Sequence, residues 1–295
     1  MTSSGAAALP FTKGHGTEND FVLLFDPDGQ MELTPATVRY LCDRRAGIGG
    51  DGVIRAVRAG RLEAGAGFPA ETWFMDYWNS DGSLSEMCGN GARVFAAFLE
   101  REAGVDFSSP VTIGTRGGER TLTALGGGRY AVGMGAWSIP FADDGADSRV
   151  KAAGLSARPG LSVDVGNPHT VVALPSLDDL AALDLSRPPV VEPEPPQGSN
   201  VEFAVPLGDT TVDGERRGVV RMRVHERGSG ETRSCGTGAV AVALAMRAWG
   251  GESAPTVWEV QVPGGAVVVR ISPDAAVLEG PAVLVAAGGV SIPQA

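Results

Sequence analysis

Two segments of the chain each place a cysteine directly before an almost wholly apolar stretch that has the length of a helix. Residues 89–101 (GNGARVFAAFLER) follow Cys88, and residues 236–247 (GTGAVAVALAMR) follow Cys235. Because both stretches are apolar on nearly every side, we predict two buried helices rather than half-exposed ones. A shorter helix is predicted to begin at the N-cap Thr34, with Pro35 as its first residue, and to run towards Cys42.

The two cysteine-led segments belong to a weak internal repeat. An ungapped offset of 147 residues places Met75 on Met222 and Cys88 on Cys235. Chance is the alternative explanation, since glycine and alanine are common in this chain. We predict an α/β (α+β) fold with two pseudo-symmetric domains, each a curved, mostly antiparallel sheet around a central helix. The expected domains are residues 1–134 with 281–295, and residues 135–280.

The rest of the chain is typical of many short strands joined by turns, because its 42 glycines and 20 prolines are scattered throughout. The predicted strands are residues 21–25, 72–77, 129–134, 163–165, 170–174, 219–224, 257–262 and 267–271. Residues 188–199 are predicted to form a surface loop, because such a proline-rich segment is too stiff for a core element.

The amino-acid composition disfavours several classes of function. The net charge of −11, without a cluster of basic residues, indicates a small-molecule partner rather than a nucleic acid. No apolar run reaches the roughly 18 residues of a membrane span, and no secretory signal is evident, so we expect a cytoplasmic protein. No zinc-type ligand cluster is present, so no metal is expected. Lys13 and Lys151 are the only lysines, which disfavours a pyridoxal phosphate enzyme.

The positions of Cys88 and Cys235 indicate proton-transfer chemistry. A helix start offers unpaired N–H groups and a positive dipole end, both of which favour thiolate and lower the thiol pKa from about 8.5. The glycines that follow let a substrate carboxylate approach these donors. Two such sites that face each other across a domain cleft would suit stereoinversion, one sulfur removing an α-proton and the other delivering one. Cys42 lacks this context and is expected to be a small buried residue.

The chain also closely resembles the diaminopimelate epimerases over nearly its whole length. The matching motifs are KGHG at 13–16, NDF at 19–21, DRR at 43–45, GIGGDG at 47–52, NSDGS at 79–83, MCGNGAR at 87–93, GNPH at 166–169, NVEF at 200–203, ERGSGET at 226–232 and CGTG at 235–238. The resemblance implies a homodimer that interconverts LL- and meso-diaminopimelate without a cofactor, in lysine and cell-wall precursor biosynthesis.

The resemblance also implies roles for individual residues. Cys88 and Cys235 match the catalytic pair, and His169 and Glu226 match residues that lie beside it and tune which thiol is ionised. Arg227 would hold the distal carboxylate of the substrate. The implied substrate-binding residues are Asn19, Asn79, Gly89, Asn90, Asn167, Asn200, Glu226, Arg227, Gly236 and Thr237. The ordinary alternatives are turn residues for the asparagines and His169, a strand-end charge for Glu226, and a surface ion pair for Arg227.

The chain departs from the family pattern at three positions. Glu18 stands where many members carry glycine, Ser80 replaces a frequent alanine, and Gly52 lies where some members have a glutamine that touches substrate. Two other functions remain open at this point. One is a proline or hydroxyproline racemase, which also uses two cysteines as an acid–base pair. The other is a redox protein with a regulatory Cys88–Cys235 disulfide.

Overall fold

The computed structural model describes residues 8–141 and 145–292. Its described residues fall into two compact units. One contains the residues up to Val132 together with those from Pro281 onward, and the other is Gly133–Gly280. The ends of the predicted domains, residues 1–7 and 293–295, and the short segment 142–144 lie outside the described residues.

Strands dominate both units. In chain order the elements are β1 (Leu9–Gly16), β2 (Asn19–Phe25), α1 (Pro35–Cys42), β3 (Gly52–Arg58), 3-10 turns at Ala59–Arg61 and Glu63–Gly65, β4 (Trp73–Asn79), α2 (Gly89–Ala103), β5 (Val111–Thr115), β6 (Gly118–Gly126), β7 (Arg129–Gly135), β8 (Ser148–Lys151), β9 (Arg158–Asp164), β10 (Pro168–Ala173), α3 (Leu177–Ala182), β11 (Val190–Glu192), β12 (Asn200–Val212), β13 (Glu215–Glu226), β14 (Gly230–Thr232), α4 (Gly236–Gly250), β15 (Val257–Val262), β16 (Gly265–Ile271), β17 (Ala276–Pro281) and β18 (Val283–Val290). All the strands predicted from sequence overlap observed ones.

The two units repeat one pairing pattern. In the first, β1–β2, β3–β4, β5–β6 and β6–β7 are antiparallel, whereas β2–β3 and β4–β5 are parallel. In the second, β9–β10, β12–β13, β15–β16 and β16–β17 are antiparallel, whereas β10–β12 and β13–β15 are parallel. The same alternation therefore occurs twice along the chain. This confirms the predicted mixed fold of two similar, mostly antiparallel sheet units.

Each unit packs its sheet against one long helix. Helix α2 contacts β1, β2, β3, β6 and β18, and α4 contacts β9, β10, β12, β13, β15 and β16. Both helices are buried along most of their length, with Val94, Phe95 and Leu99 at 0% exposure in α2. The apolar composition on all sides explains this, because a helix surrounded by strands has no face left for water. Both predicted buried helices are confirmed.

The shorter helix α1 also begins where the sequence predicts. Thr34 is its N-cap, and the side-chain oxygen accepts a hydrogen bond from the backbone N–H of Thr37. Pro35 occupies the first turn, where a missing N–H is not needed. Cys42 ends the helix with 5% of its surface exposed, within the cluster formed by Val22, Val38 and neighbouring apolar side chains.

One expectation about the fold is wrong. The proline-rich segment 188–199 is not loop throughout, because Val190–Glu192 forms β11 and pairs with β8. Val191 is buried in a satellite cluster with Val150 and Leu185. Prolines at both ends of the segment leave these three residues free to donate and accept ladder hydrogen bonds. The helices of the described residues include none with the length and apolar character needed to cross a membrane.

Candidate functional site

Cys88 is the N-cap of α2 and lies in the first unit. Its backbone is extended, with φ −139° and ψ 121°, and its sulfur accepts a hydrogen bond from the backbone N–H of Gly91 at 3.4 Å. The sulfur therefore takes the place that a serine or aspartate oxygen holds in an ordinary helix cap. Gly89 and Asn90 follow as buried residues of the first turn.

A chain of side-chain amides surrounds the Cys88 sulfur. Cys88 Sγ lies 3.5 Å from Asn19 Oδ1, and Asn90 Nδ2 donates to the same oxygen at 3.2 Å. Asn19 Nδ2 donates to Asp51 Oδ2 at 2.8 Å. Because a carboxylate only accepts hydrogen bonds, Asp51 fixes which end of the Asn19 amide faces the thiol. The structure thus brings together Cys88, Asn19, Gly89 and Asn90 from the predicted set.

Arg93 lies one turn further along α2 and is fully buried. Its guanidinium donates to Asn90 Oδ1 at 2.9 Å and to the Gly89 and Pro281 carbonyls at 3.4 and 3.3 Å. Among the described residues it has no carboxylate ion-pair partner. Burial lowers the pKa of Arg93 to about 10, and the nearby Cys88 acts in the opposite direction. A buried, charged donor therefore orients the Asn90 amide.

Cys235 is the N-cap of α4 and lies in the second unit. Its sulfur accepts from the backbone N–H of Gly238 at 3.4 Å and lies 3.5 Å from Thr237 Oγ1. Only 6% of the residue is exposed. The local geometry repeats that of Cys88, since in both cases the sulfur caps the glycine N–H three residues later.

The environment of the Cys235 thiol differs from the sequence expectation. Burial raises the pKa of Cys235 well above its usual value, and the charges of Glu226 and Glu202 raise it further. The hydrogen bonds from Thr237 and from the Gly238 N–H lower this pKa, but their effect is smaller than the increase. The predicted lowering of the thiol pKa is therefore wrong for Cys235, because a desolvated site with two carboxylates penalises a further negative charge.

Glu226 ends β13 next to this thiol. Burial raises the pKa of Glu226, and hydrogen bonds from Thr232 and Cys235 partly oppose this shift. The Thr232 hydroxyl donates directly to Glu226 Oε1. The structure thus brings Glu226 to Cys235, as predicted from the resemblance.

His169, at the second position of β10, is almost fully buried. Its Nδ1 lies 2.7 Å from Glu202 Oε1, and its Nε2 lies 3.0 Å from Asn167 Oδ1. Asn167 Nδ2 in turn lies 3.5 Å from Thr237 Oγ1, at the start of α4. His169, Asn167, Thr237 and Cys235 are therefore neighbours in this unit.

Asn200 and Arg227 are also adjacent. Asn200 is the strand neighbour of His169, and its Oδ1 accepts from the backbone N–H of Arg227 at 2.9 Å. Its Nδ2 donates to the Pro168 carbonyl at 3.3 Å. The exposed guanidinium of Arg227 donates to the Gln197 carbonyl at 2.6 Å and has no carboxylate partner among the described residues. The surface ion pair considered for Arg227 is absent there.

Asn79 is placed at the end of β4, where Nδ2 donates to Ser83 Oγ at 3.0 Å within its own turn. The backbone at two of the family departures, Gly52 and Glu18, limits which residues fit there. A Cβ at Gly52 would lie 2.4 Å from the Trp78 carbonyl oxygen, so no side chain fits there without a backbone shift. Glu18 has φ +62°, a left-handed conformation that favours the glycine many members carry.

Three residues of these sites, Glu202, Arg93 and Asp51, have no role predicted from the sequence. Glu202 lies between Val201 and Phe203 in a run that is otherwise apolar, and Arg93 is the only charged residue in the segment 89–99 of α2. A charged residue inside a segment that must be buried is the signal that could have identified both. Asp51, which orients Asn19, lies in a glycine-rich loop and carries no comparable signal.

All three cysteines are free thiols. Burial raises the pKa of Cys42 to about 12, which fits the inert role expected for it. Among the described residues no group of three or more His, Cys, Asp or Glu side chains is arranged to hold a metal ion.

Comparison with known proteins identifies the family. The family model for diaminopimelate epimerase matches residues 11–139 and 161–285. The chain is 45% identical to the diaminopimelate epimerase of Streptomyces coelicolor, covering 95% of this chain and 94% of that protein. It is 46% identical to that of Thermobifida fusca, covering 96% and 98% of the two chains.

Solved structures with low sequence identity share the fold. A hydroxyproline epimerase from Agrobacterium vitis matches with a TM-score of 0.66 at 13% identity, over 100% of this chain and 95% of that chain. A phenazine biosynthesis protein from Bacillus anthracis matches with a TM-score of 0.63 at 15% identity, over 97% and 100%. The family match over most of the sequence and the two cysteine-capped helices lead to one conclusion: this chain belongs to the diaminopimelate epimerase family.

Proposed function

We propose that this isomerase interconverts LL- and meso-diaminopimelate by two-base proton transfer between Cys88 and Cys235. The observation that carries the proposal is the shared cap geometry, in which each sulfur accepts a glycine N–H at 3.4 Å at the start of a buried helix. The relatives that bear this activity in their names match nearly the whole chain at about 45% identity, which supports the choice of substrate.

The proposed reaction balances with the protein's own groups. One sulfur begins as thiolate and takes the α-proton, leaving the electron pair on the α-carbon and the carboxylate. The other begins as thiol and gives its proton to the opposite face of that carbon. The two cysteines end with exchanged protonation states, so no external oxidant, reductant or cofactor takes part. The reaction requires both sulfurs to reach the same α-carbon.

The direction of the Cys235 shift suggests where the cycle starts. Because burial and two carboxylates raise the pKa of Cys235, we assign it the thiol form in the resting state. With Cys235 starting as thiol, the two-base scheme makes Cys88 the first proton acceptor. The family resemblance labels Cys88 the donor and Cys235 the acceptor, but each residue serves in either role according to the direction of the reaction.

The remaining predicted residues would bind the zwitterionic ends of the substrate. The N–H groups at Gly89–Asn90 and Gly236–Thr237 suit a carboxylate, because a helix start presents unpaired donors. Arg227 suits the distal carboxylate, and Asn200 would act by holding the Arg227 backbone. Asn19, Asn167 and Glu226 would contact the ammonium or carboxylate that lies beside each sulfur. Asn79 would join them if its Ser83 contact opens when substrate binds.

Solvent deuterium at the α-carbon of diaminopimelate tests the proposal. The unaltered enzyme should incorporate deuterium and invert configuration, and Cys88→Ser and Cys235→Ser should each lose inversion by at least about 100-fold. Cys42→Ala is the matched control, because this third thiol lies in a separate apolar cluster. Undiminished inversion in either serine variant, or a preference for proline over diaminopimelate, would overturn the assignment.

We also propose that the enzyme works as a cytoplasmic homodimer. The family resemblance supports the dimer, and three free thiols suit a reducing compartment. Light scattering coupled to size-exclusion chromatography tests the assembly. A mass of one 30.3 kDa chain at working concentrations would contradict it.

A further inference from the structure

Glu202 is a carboxylate in a place that favours apolar side chains. It lies in β12, between the buried Val201 and Phe203, and its own exposure is 0%. Removing an ionised carboxylate from water is strongly unfavourable unless partners compensate for the lost hydration. An apolar residue at this position would pack with the same neighbours without that penalty. Core packing therefore does not explain Glu202.

The only side chain that compensates Glu202 among the described residues is His169. Nδ1 of His169 lies 2.7 Å from Oε1 of Glu202, and both side chains are completely buried. The second carboxylate oxygen, Oε2, is buried and has no hydrogen-bond partner among the described residues. A pair selected only for stability would satisfy both oxygens. Because one oxygen of Glu202 has no partner in the part of the chain that the structure describes, we infer that the role of the carboxylate is its contact with His169.

Both ring nitrogens of His169 make a hydrogen bond. Nε2 faces Asn167 Oδ1 at 3.0 Å, and the other end of this amide, Nδ2, is directed to Thr237 Oγ1 at 3.5 Å. With the Asn167 amide in this orientation, Nε2 donates to Asn167 Oδ1, and the contact between Nδ1 and Glu202 Oε1 is a second hydrogen bond of the same ring.

The same carboxylate lies close to the start of α4. A Cβ placed on Gly238 would be 2.7 Å from Glu202 Oε1 and 3.3 Å from Cys235 Sγ. The other charged group at this thiol is Glu226, on β13. The negative charge of Glu202 opposes thiolate at Cys235.

We propose that Glu202 is a positioning residue for the epimerisation reaction: it holds His169 with a proton on Nε2, so that the Asn167 amide presents Nδ2 towards Thr237 and the substrate. The expected effect on catalysis rests on the proposed function. The hydrogen bonds that join Glu202, His169 and Asn167 do not depend on it. Without the carboxylate, the imidazole keeps one proton. If that proton stays on Nδ1, Asn167 must turn its amide and offer an oxygen to a substrate carboxylate.

Glu202→Gln tests the proposal, because the amide keeps the shape and an acceptor oxygen but removes the charge. The variant should fold and lose about 10- to 100-fold in kcat/KM, the usual effect of losing a group that orients an active-site histidine or ligand. Glu192→Gln, which changes an exposed carboxylate of β11, is the matched control and should retain full activity. Activity of Glu202→Gln within twofold of the unaltered enzyme would overturn the positioning role.

A double-mutant cycle distinguishes positioning from general damage to the core. If Glu202 acts through His169, Glu202→Gln should cause no further loss in a His169→Asn background. A full additional loss there would show that Glu202 works by another route and would overturn the inference.

Nitrogen NMR of the histidines separates this inference from the proposed function. The chain has three histidines, so selective ¹⁵N labelling gives a spectrum that His169→Asn assigns directly. The unaltered protein should show a protonated Nε2 at His169, and Glu202→Gln should change the protonation pattern of that ring alone. An unprotonated Nε2 in the unaltered protein would overturn the inference even if the variant does not fold. Failure of the proposed function would instead appear as no deuterium incorporation by the unaltered enzyme.

Discussion

The backbone N–H of Gly238 donates to the sulfur of Cys235 at 3.4 Å, and this contact does not make the thiol acidic. A helix start stabilises a thiolate when the site is otherwise polar or hydrated. Here burial and the carboxylates of Glu226 and Glu202 outweigh the helix. The position of a cysteine at a helix start therefore identifies a cap, whereas the surrounding charges decide its acidity.

Glu226→Gln should lower the pKa of the Cys235 thiol, because it removes the larger of the two carboxylate effects on that group. The measurement is the rate of iodoacetamide alkylation against pH in a Cys42→Ala, Cys88→Ala background, where Cys235 is the only thiol. The rise in rate should move to lower pH. Glu231→Gln, which removes an acidic group paired with Arg223, serves as the control and should leave the profile in place. An unchanged profile in Glu226→Gln would contradict the charge assignment.

Gly91 and Gly238 donate their N–H groups to the two cysteine sulfurs, and alanine at these two positions should affect stability unequally. At Gly238 a Cβ would lie 2.7 Å from the buried Glu202 carboxylate, whereas at Gly91 it would meet the end of the flexible Ile54 side chain at 3.0 Å. We expect Gly238→Ala to lower the free energy of unfolding by about 1–3 kcal/mol, the range for overpacking.

Gly91→Ala is the matched comparison for that change. Ile54 can turn away, and alanine is favoured over glycine in a helix by roughly 0.5–1 kcal/mol, so stability should be nearly unchanged. Urea unfolding measures both variants. Equal destabilisation of the two would mean that the Glu202 contact is not the cause.

Arg93→Met should destabilise the first unit despite removing a buried charge. It removes the guanidinium donor from the Asn90 side-chain oxygen and from the Pro281 carbonyl, and a buried acceptor that loses its donor costs about 1–3 kcal/mol. KM should rise as well, because the Asn90 amide beside Cys88 is no longer held. Arg101→Met, at the partly exposed end of the same helix, should cost about 1 kcal/mol or less. Urea unfolding and initial rates give both quantities, and an unaltered KM in Arg93→Met would speak against the orienting role.

Glu18→Gly should stabilise the protein by up to about 1 kcal/mol, because relief of about 1–2 kcal/mol of left-handed strain outweighs the roughly 0.4–1 kcal/mol of freedom that glycine adds to the unfolded chain. Glu18 has φ +62° in the turn between β1 and β2. Glu32→Gly is the control, because this exposed residue is not in the left-handed region and glycine there only adds freedom to the unfolded chain. Thermal unfolding of the two variants should shift in opposite directions. A lower midpoint for Glu18→Gly would show that the glutamate makes a compensating contact.

Much of the fold is predictable because its signals are local. The apolar helices after Cys88 and Cys235, the Thr34 cap and the alternating strands all depend on residues close together in sequence. The missed strand at Val190–Glu192 shows the limit of such signals. Its pairing with β8 and the burial of Val191 depend on residues about forty positions away.

The sequence by itself determined the two cysteine-capped helices, the repeated sheet unit and the set of residues shared with the family. Only the tertiary structure decided which side chains meet: Glu202 with His169, Arg93 with Asn90, and two carboxylates with the Cys235 thiol. The physical reason is that a helix cap follows from the order of neighbouring residues. The acidity and orientation of a buried group instead follow from desolvation and from charges that distant strands bring within a few ångströms.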